Sequence, residues 1–427
     1  MTTTTVRSER LCDLRRQLHR YPEPAWREFH TTSLIVEALE EHSPDALSVG
    51  SEALETEERL GVPAPEPLRD WHDRARRNGA REDVLERTAG GQTGVVATVE
   101  CGDGPTVGVR VDIDGLRMEE PIAGTHRPAA EGFRSEHGGY MHACAHDANT
   151  TMGIGLLGSI RESDFDGTLK VFFQPASEIE SGGKPMSKTA HLDDVEYLVV
   201  VNTGMGYASG EVVAGVDEMY AIERLRAEFT GESSHAAKTP NAGRNAIQAM
   251  ATATENLYGV PRHADGATRV NVGTVEAGSA TNVIAERAVL EADIRGETSA
   301  ILDFVRDRTE RVFEGAAHIH DCDVELETIG QAPSADSDGA LIDTFYDALE
   351  THPAVTSPIR REPFGTGEDA AWFMNAVSDA GGQSTHVIVG TDLASGHHTP
   401  TFGIDEQSLT AGVQALIAGI EAIESSP

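Results

Sequence analysis

The chain has 427 residues, 39% hydrophobic and 24% charged, and its 70 Asp+Glu against 34 Lys+Arg leave a net charge of −36. A chain this long holds two or three domains, and a surface this acidic repels nucleic acid and anionic membranes, excluding them as partners. No apolar run reaches the ~18 residues of a membrane span, and MTTTTVRSERLCDL lacks the apolar stretch of a signal peptide, so a cytoplasmic location is expected.

Leu11, Leu14 and Leu18 recur at helical spacing, predicting an amphipathic helix over 7–20 that Tyr21-Pro22 ends. A second helix is expected at 27–41. Residues 43–68, with Pro44, Pro63, Pro65 and Pro67, read as an irregular insertion, and 69–89 as a charged surface helix. Strands follow at 93–99 and 106–112, a helix of small residues at 150–161, and strands at 168–174 and 197–201. Strands that alternate with helices and are apolar on both faces imply an α/β domain with a mainly parallel, covered sheet. From about 223 the texture changes. A half-exposed strand, a helix at 243–258, strands at 268–276 and 287–295, a helix at 299–316 and a strand near 322–328 give the order β-α-β-β-α-β. That order fits an inserted α+β domain of ferredoxin-like pattern. Residues 331–339 (QAPSADSDG) read as a linker back, followed by a strand at 386–390 and a helix from 405. The expected division is 1–222 with 336–427, and 223–335.

Only Lys170, Lys184, Lys188 and Lys238 are lysines, and the acidic excess runs through the whole length. Such a surface suits concentrated salt, where a Debye length of about 3 Å at 1 M screens self-repulsion. Cys12, Cys101, Cys144 and Cys322 are scattered without a C-x-x-C pair, so they form no disulfide framework.

Cys144 and His146, in MHACAHDAN, are the first half of a candidate metal site, since thiolate and imidazole are strong ligands of borderline cations. Asp112 and Asp114 close a hydrophobic strand in RVDID, where ligands gather in open α/β sheets. Glu178 and Glu180 follow another strand in FQPASEIESGG, and His397 and His398 lie in GHHTP. Glu368 and Asp369 stand at an expected helix start, where capping explains them. The inserted segment offers His235, Asn282 and Arg295 as substrate contacts.

Taken in order, LHRYPEPAWREF, GPTVGVRVDIDGL, MHACAHD, FQPASE, FTGESSHAA, EAGSATNVI, GTGEDA and GHHTPTFGIDE resemble the aminoacylase and auxin-conjugate hydrolase branch of the dimetal metallopeptidases. The resemblance covers essentially the whole chain. It implies a metal-bearing α/β domain with an inserted dimerisation domain, and hydrolysis of the amide between an acyl group and an amino acid with Zn or Mn, one or two ions. The substrate would be a small N-acyl or aminobenzoyl amino acid, glutamate favoured. On the family pattern Cys144, His146, Glu178 and His398 fall at metal-ligand positions, His235 and Asn282 where the oxyanion is stabilised. Arg295 would hold the substrate carboxylate with its guanidinium fork. Asp114 joins the catalytic group.

Three positions depart from that pattern. Ser177 stands where relatives carry a general-base Glu, Asn202 where they carry a ligand His, and Asn149 where a second His occurs. A hydroxyl cannot replace a carboxylate base at neutral pH, a loss of about 10²- to 10⁴-fold. Glu180 is then the stand-in base, on the same side as Glu178 if the segment is extended. The resemblance thus leaves a working amidohydrolase, with its base shifted or with a single metal, as the first expectation. The alternative is a weakened homologue serving as a ligand-binding or partner subunit of a hetero-oligomer. A homodimer, or a heterodimer with a related subunit, is expected in general.

Overall fold

A computed structural model describes residues 3–424. Met1 and Thr2 of the N-terminal stretch read for a leader lie outside the described residues. Two compact units form: Met1–Asp217 with Asp336–Phe364 and Ala370–Pro427, and Glu218–Ala335 with Gly365–Asp369.

The first unit opens with α1 (Thr3–Arg20) and α2 (Phe29–Glu40), parted by Tyr21-Pro22. The stretch expected to be irregular contains strand β1 (Ala46–Val49) and the start of α3 (Pro65–Arg77). Proline suits that start, because a first-turn residue needs no N–H partner. The charged helix expected over 69–89 is two helices, α3 and α4 (Glu82–Thr88). The break falls at Asn78-Gly79, where Gly79 takes φ +98, a backbone state that ends helices. Nor is this pair all surface: Leu68, Trp71, Ala75 and Leu85 pack with Phe29 in a small core.

Next come β2 (Val95–Glu100), β3 (Thr106–Asp112), the single turn α5 (Arg127–Ala130) and α6 (His146–Ile160). Helix α6 starts earlier than the small-residue run suggested: left-handed Ala145 (φ 64) makes the turn into it, and Asp147 falls in its first turn, where a carboxylate is favoured. Then follow β4 (Thr168–Gln174), α7 (Gly183–Ser187), β5 (Tyr197–Thr203), β6 (Glu211–Val213) and β7 (Val216–Asp217).

The second unit contains β8 (Ala221–Thr230), α8 (Ala246–Leu257), β9 (Thr268–Ala277), β10 (Arg287–Gly296), α9 (Ser299–Ile319) and β11 (Asp323–Ala332). Its strands pair antiparallel in the order β11-β8-β10-β9, the split β-α-β arrangement the sequence pattern implied. Leu257, Val305 and Phe313 from the helices share a core with Phe229, Leu290 and Ile294 of the sheet.

The first unit resumes with α10 (Gly339–Glu350), β12 (Ser357–Ile359), β13 (Glu362–Pro363), α11 (Ala371–Asp379), β14 (Gln383–Val389) and α12 (Gln407–Glu424). Its main sheet runs β1-β2-β4-β3-β5-β14-β6-β12. The central run β4-β3-β5-β14 is parallel, with antiparallel strands on either side of it. This is the covered, mainly parallel α/β sheet expected from strands apolar on both faces. Asp112 ends β3 in register with Gln174 at the end of β4, and Asn202-Thr203 ends β5. The carboxyl ends of three adjacent parallel strands therefore carry the polar side chains, where such sheets place their ligands.

Candidate metal centre

Cys144 and His146 stand at the start of α6, beyond those strand ends. Glu178 sits in a 3₁₀ turn, Ser177–Ile179, bounded by left-handed Ala176 (φ 53) and Glu180 (φ 50). His398 is also left-handed (φ 55), and its N–H donates to the Ala143 carbonyl at 2.9 Å. One ligand atom from each of Cys144, Glu178 and His398 lies within 4.8 Å of the others. His146 Nε2 is 3.6 Å from Glu178 Oε1, and His398 Nε2 is 3.6 Å from Glu178 Oε2.

Carboxylates set how His146 presents itself. Its Nδ1 donates to the Asp114 carbonyl at 3.0 Å and to Asp114 Oδ1 at 3.1 Å. Nε2 faces Glu178 and, at 3.5 Å, Asp112 Oδ2. Burial works against protonation, yet Asp112, Glu178 and the bonds with Asp114 and Cys144 hold His146 well above the usual imidazole range. Burial and the Glu178 carboxylate push the Cys144 thiol up to about 12. A proton on His146 thus meets the local negative charge, the electrostatic demand that a cation satisfies. An imidazole braced by a carboxylate through its other nitrogen is the usual form of a metal-binding histidine.

Asp114 does more than brace His146. Its Oδ2 accepts the Glu178 N–H at 3.0 Å and so ties the 3₁₀ turn to the end of β3. Glu28 fixes the other side of that turn: it accepts the Ala176 N–H at 2.8 Å and the Thr93 hydroxyl at 2.6 Å. Burial first, then the Asp114 charge, raise the Glu28 carboxyl to about 8.

Ser177 is held by a buried arginine. Arg110 donates from Nε to Gln174 Oε1 at 2.7 Å, from one terminal nitrogen to Asp112 Oδ2 at 3.0 Å and from the other to Ser177 Oγ at 2.8 Å. Sequence reasoning passed over Arg110, although an arginine inside the apolar strand TVGVRVD is itself a signal, since buried charges are kept only when paired. It also passed over the network behind the helix start. Asp147 forms an ion pair with Arg15 and a hydrogen bond with His19, at 2.8 Å each, and His19 Nε2 meets Glu120 Oε1 at 3.0 Å. These partners are scattered through the sequence, and only the fold assembles them.

The premise that placed Glu180 beside Glu178 does not hold. Alternation of side chains requires an extended segment, and residues 177–179 form a 3₁₀ turn. Glu180 is nevertheless buried, 8% exposed, in that same turn. His397, the neighbour of His398, donates from Nε2 to the Thr203 carbonyl at 3.1 Å, and burial lowers its pKa. Glu368 and Asp369 precede α11, whose first flanking residue is Ala370.

In the second unit, His235 pairs with Val283 in an isolated bridge, and the Ala236 N–H donates to the Asn282 carbonyl at 3.1 Å, which sets His235 and Asn282 side by side. Both are exposed at the surface. His235 Nδ1 accepts the N–H groups of Ala237 and Lys238 at 3.1 and 3.2 Å. Its proton is therefore on Nε2, which makes that atom a hydrogen-bond donor. Arg295 is already engaged: its guanidinium donates to both Asp293 oxygens, at 2.8 and 3.1 Å, and to Thr366 Oγ1 at 2.5 Å. A substrate carboxylate would have to compete with Asp293 for that fork.

An α/β unit with thiol, imidazole and carboxylate converging past its parallel strands defines a metallohydrolase class. The model for peptidase family M20/M25/M40 matches residues 108–422. The chain is 38% identical over 407 residues to indole-3-acetyl-aspartic acid hydrolase of Enterobacter agglomerans, covering 94% of this chain and 93% of that protein. It is 37% identical over 411 residues to a p-aminobenzoyl-glutamate hydrolase subunit of Escherichia coli strain K12, with 95% and 94% covered. Among solved structures, an aminobenzoyl-glutamate utilization protein from Klebsiella pneumoniae superposes with a TM-score of 0.84 at 31% identity, covering 98% of this chain and 97% of that one. The chain belongs to the M20/M25/M40 peptidase family and is a hydrolase of the amidohydrolase kind.

Proposed function

We propose that this chain is a divalent-metal-dependent amidohydrolase that cleaves the amide of N-acyl or aminobenzoyl amino acids, with an acidic amino acid such as glutamate on the leaving side. The convergence of Cys144, Glu178 and His398 within 4.8 Å carries this reading. Two relatives matched over more than nine-tenths of this chain are named as hydrolases of amides joining an aromatic acyl group to aspartate or glutamate. Their names favour an enzyme over a weakened partner protein.

Cys144, Glu178 and His398 would hold the ion, with His146 as a fourth ligand through Nε2 once its proton is displaced. Bound there, a divalent ion, Zn or Mn, polarises the scissile carbonyl and acidifies a water molecule. The residues around it divide the remaining work. Asp114 fixes the His146 ring and the Glu178 turn at once. Ser177 accepts a hydrogen bond from a guanidinium, so its hydroxyl is a poor proton acceptor. We assign the water proton to Glu180, the other carboxylate of the turn, which then passes it to the departing amine; water adds to the carbonyl carbon and the C–N bond breaks. His235 Nε2, with Asn282 beside it in the second unit, is a hydrogen-bond donor of the kind that stabilises an oxyanion.

The test is hydrolysis of p-aminobenzoyl-glutamate and indole-3-acetyl-aspartate by the metal-loaded chain in concentrated KCl. Turnover should vanish with chelator and return with Zn or Mn. Glu178→Gln should lose metal and activity together, whereas Glu180→Gln should keep the metal and lose roughly 10²-fold or more in kcat. Full activity in Glu180→Gln would remove it from the proton path. No turnover of any N-acyl amino acid by a metal-replete chain would overturn the enzymatic reading.

A further inference from the structure

Beside His146 lies a second group of buried polar side chains that bond chiefly to one another: Arg110, Asp112, Asn149, Asn202 and Thr203. We infer that this group excludes a second divalent ion, so that the chain takes one ion rather than two; the inference rests on reading Cys144, Glu178 and His398 as cation ligands. Asn149 Nδ2 donates to Asp112 Oδ1 at 2.8 Å and to Asn202 Oδ1 at 3.4 Å. The Thr203 hydroxyl donates to Asn149 Oδ1 at 2.6 Å, and Arg110 donates to Asp112 Oδ2 at 3.0 Å. All five residues are buried, Asn202 the most exposed at 6%.

Three features make this group a poor host for a divalent cation. The first is occupancy. Each carboxylate or amide oxygen of the group already accepts a hydrogen bond from a protein donor. A cation drawing on Asp112 or Asn202 would strand the buried N–H groups that now bond to them.

The second is charge. A Cys144 thiolate and the Glu178 carboxylate together match the two positive charges of one ion. In the neighbouring group the Asp112 carboxylate is cancelled by the Arg110 guanidinium, and amides and a hydroxyl add none. A second divalent ion would bring its charge into a buried group that carries no net negative charge of its own.

The third is donor type. Amide oxygens suit hard cations that take six or more oxygen ligands, and one carboxylate with two amides falls short of that number.

Ion counting on the full-length chain decides the matter. Chain stripped with chelator and dialysed to saturation against Zn²⁺ should hold one equivalent by elemental analysis. Titration with Co²⁺ should end at one equivalent, with a thiolate-to-cobalt absorption band and an uncoupled cobalt EPR signal. Asn149→His/Asn202→His should gain a second equivalent and cobalt–cobalt coupling, while the thiolate band at the first equivalent reports that the variant has kept its centre. Two tightly held ions in the unaltered chain would overturn the inference and leave the proposed function standing. A double-histidine variant with the band but only one ion would overturn the assignment of the exclusion to this network. No bound ion in the unaltered chain would overturn the metal reading itself.

Discussion

Replacing Arg110 by Met tests whether the buried guanidinium supports the sheet end as the geometry requires. Arg110 and Asp112 are both 0% exposed, so the substitution leaves the Asp112 carboxylate facing only the Asn149 amide and the more distant His146 ring. Stranding one member of a buried ion pair costs about 3–5 kcal/mol. Two further acceptors, Gln174 Oε1 and Ser177 Oγ, lose a donor, each worth about 1 kcal/mol. Methionine recovers part of the apolar stem contact, so the expected net loss is about 4 kcal/mol. Adding Asp112→Asn removes the stranded charge but keeps an acceptor for Asn149, and the double variant should lose only about 1–2 kcal/mol. The three tryptophans, Trp26, Trp71 and Trp372, all lie in the first unit. Their fluorescence during urea unfolding, with chelator present and KCl at about 2 M, therefore reports that unit alone. A single variant that loses less than about 1 kcal/mol, or a double variant as unstable as the single, would refute this account of the pair.

Acid stability follows from the network behind α6. Burial alone would raise the Glu120 carboxyl, but hydrogen bonds from His19, the Ser135 N–H and His126 hold it at about 2. Its contribution is present above the unfolded carboxyl value near 4.3 and is lost as pH falls toward 2, at most about 3 kcal/mol. His19 is raised by Asp147 and Glu120 against burial and the Arg15 charge, so its share is complete below about 6.5 and declines as pH rises through its own elevated value. Glu120→Gln should flatten the pH 2–4.5 limb of the urea midpoint, and an unchanged limb would exclude Glu120 as its source. Gly419→Ala would set a methyl 2.1 Å from the fully buried Phe345 ring, and calorimetry should show a loss of about 1–3 kcal/mol. With a net charge of −36, the melting temperature should climb as KCl rises from dilute buffer to about 1 M; a flat curve would count against salt adaptation.

Much of the architecture was legible in the chain because its elements carry local signals. The apolar runs of β3, β4 and β5 announced buried parallel strands, and the switch to alternating texture near residue 223 announced a second kind of sheet. Helix breaks were less legible. Gly79 ends α3 through a backbone state that hydrophobic periodicity does not encode, and Ala145 starts α6 through another. At the centre, the sequence supplied Cys144, His146, Glu178 and His398 as candidates by residue type and by order along the chain. It misjudged the path of the SEIE segment, because a 3₁₀ turn pinned by Asp114 and Glu28 depends on residues 64 and 148 positions away.

The sequence by itself determined the fold class and the family resemblance, and it named candidate cation ligands by residue type, since these follow from composition, periodicity and ordered motifs. Only the tertiary structure decided how their charges balance. Arg110 reaches Asp112 and Ser177, and Asn149 links Asp112 to Asn202, because adjacent parallel strands end side by side. Electrostatic energy depends on distance through space and on exclusion of water, and neither quantity is written in the order of residues.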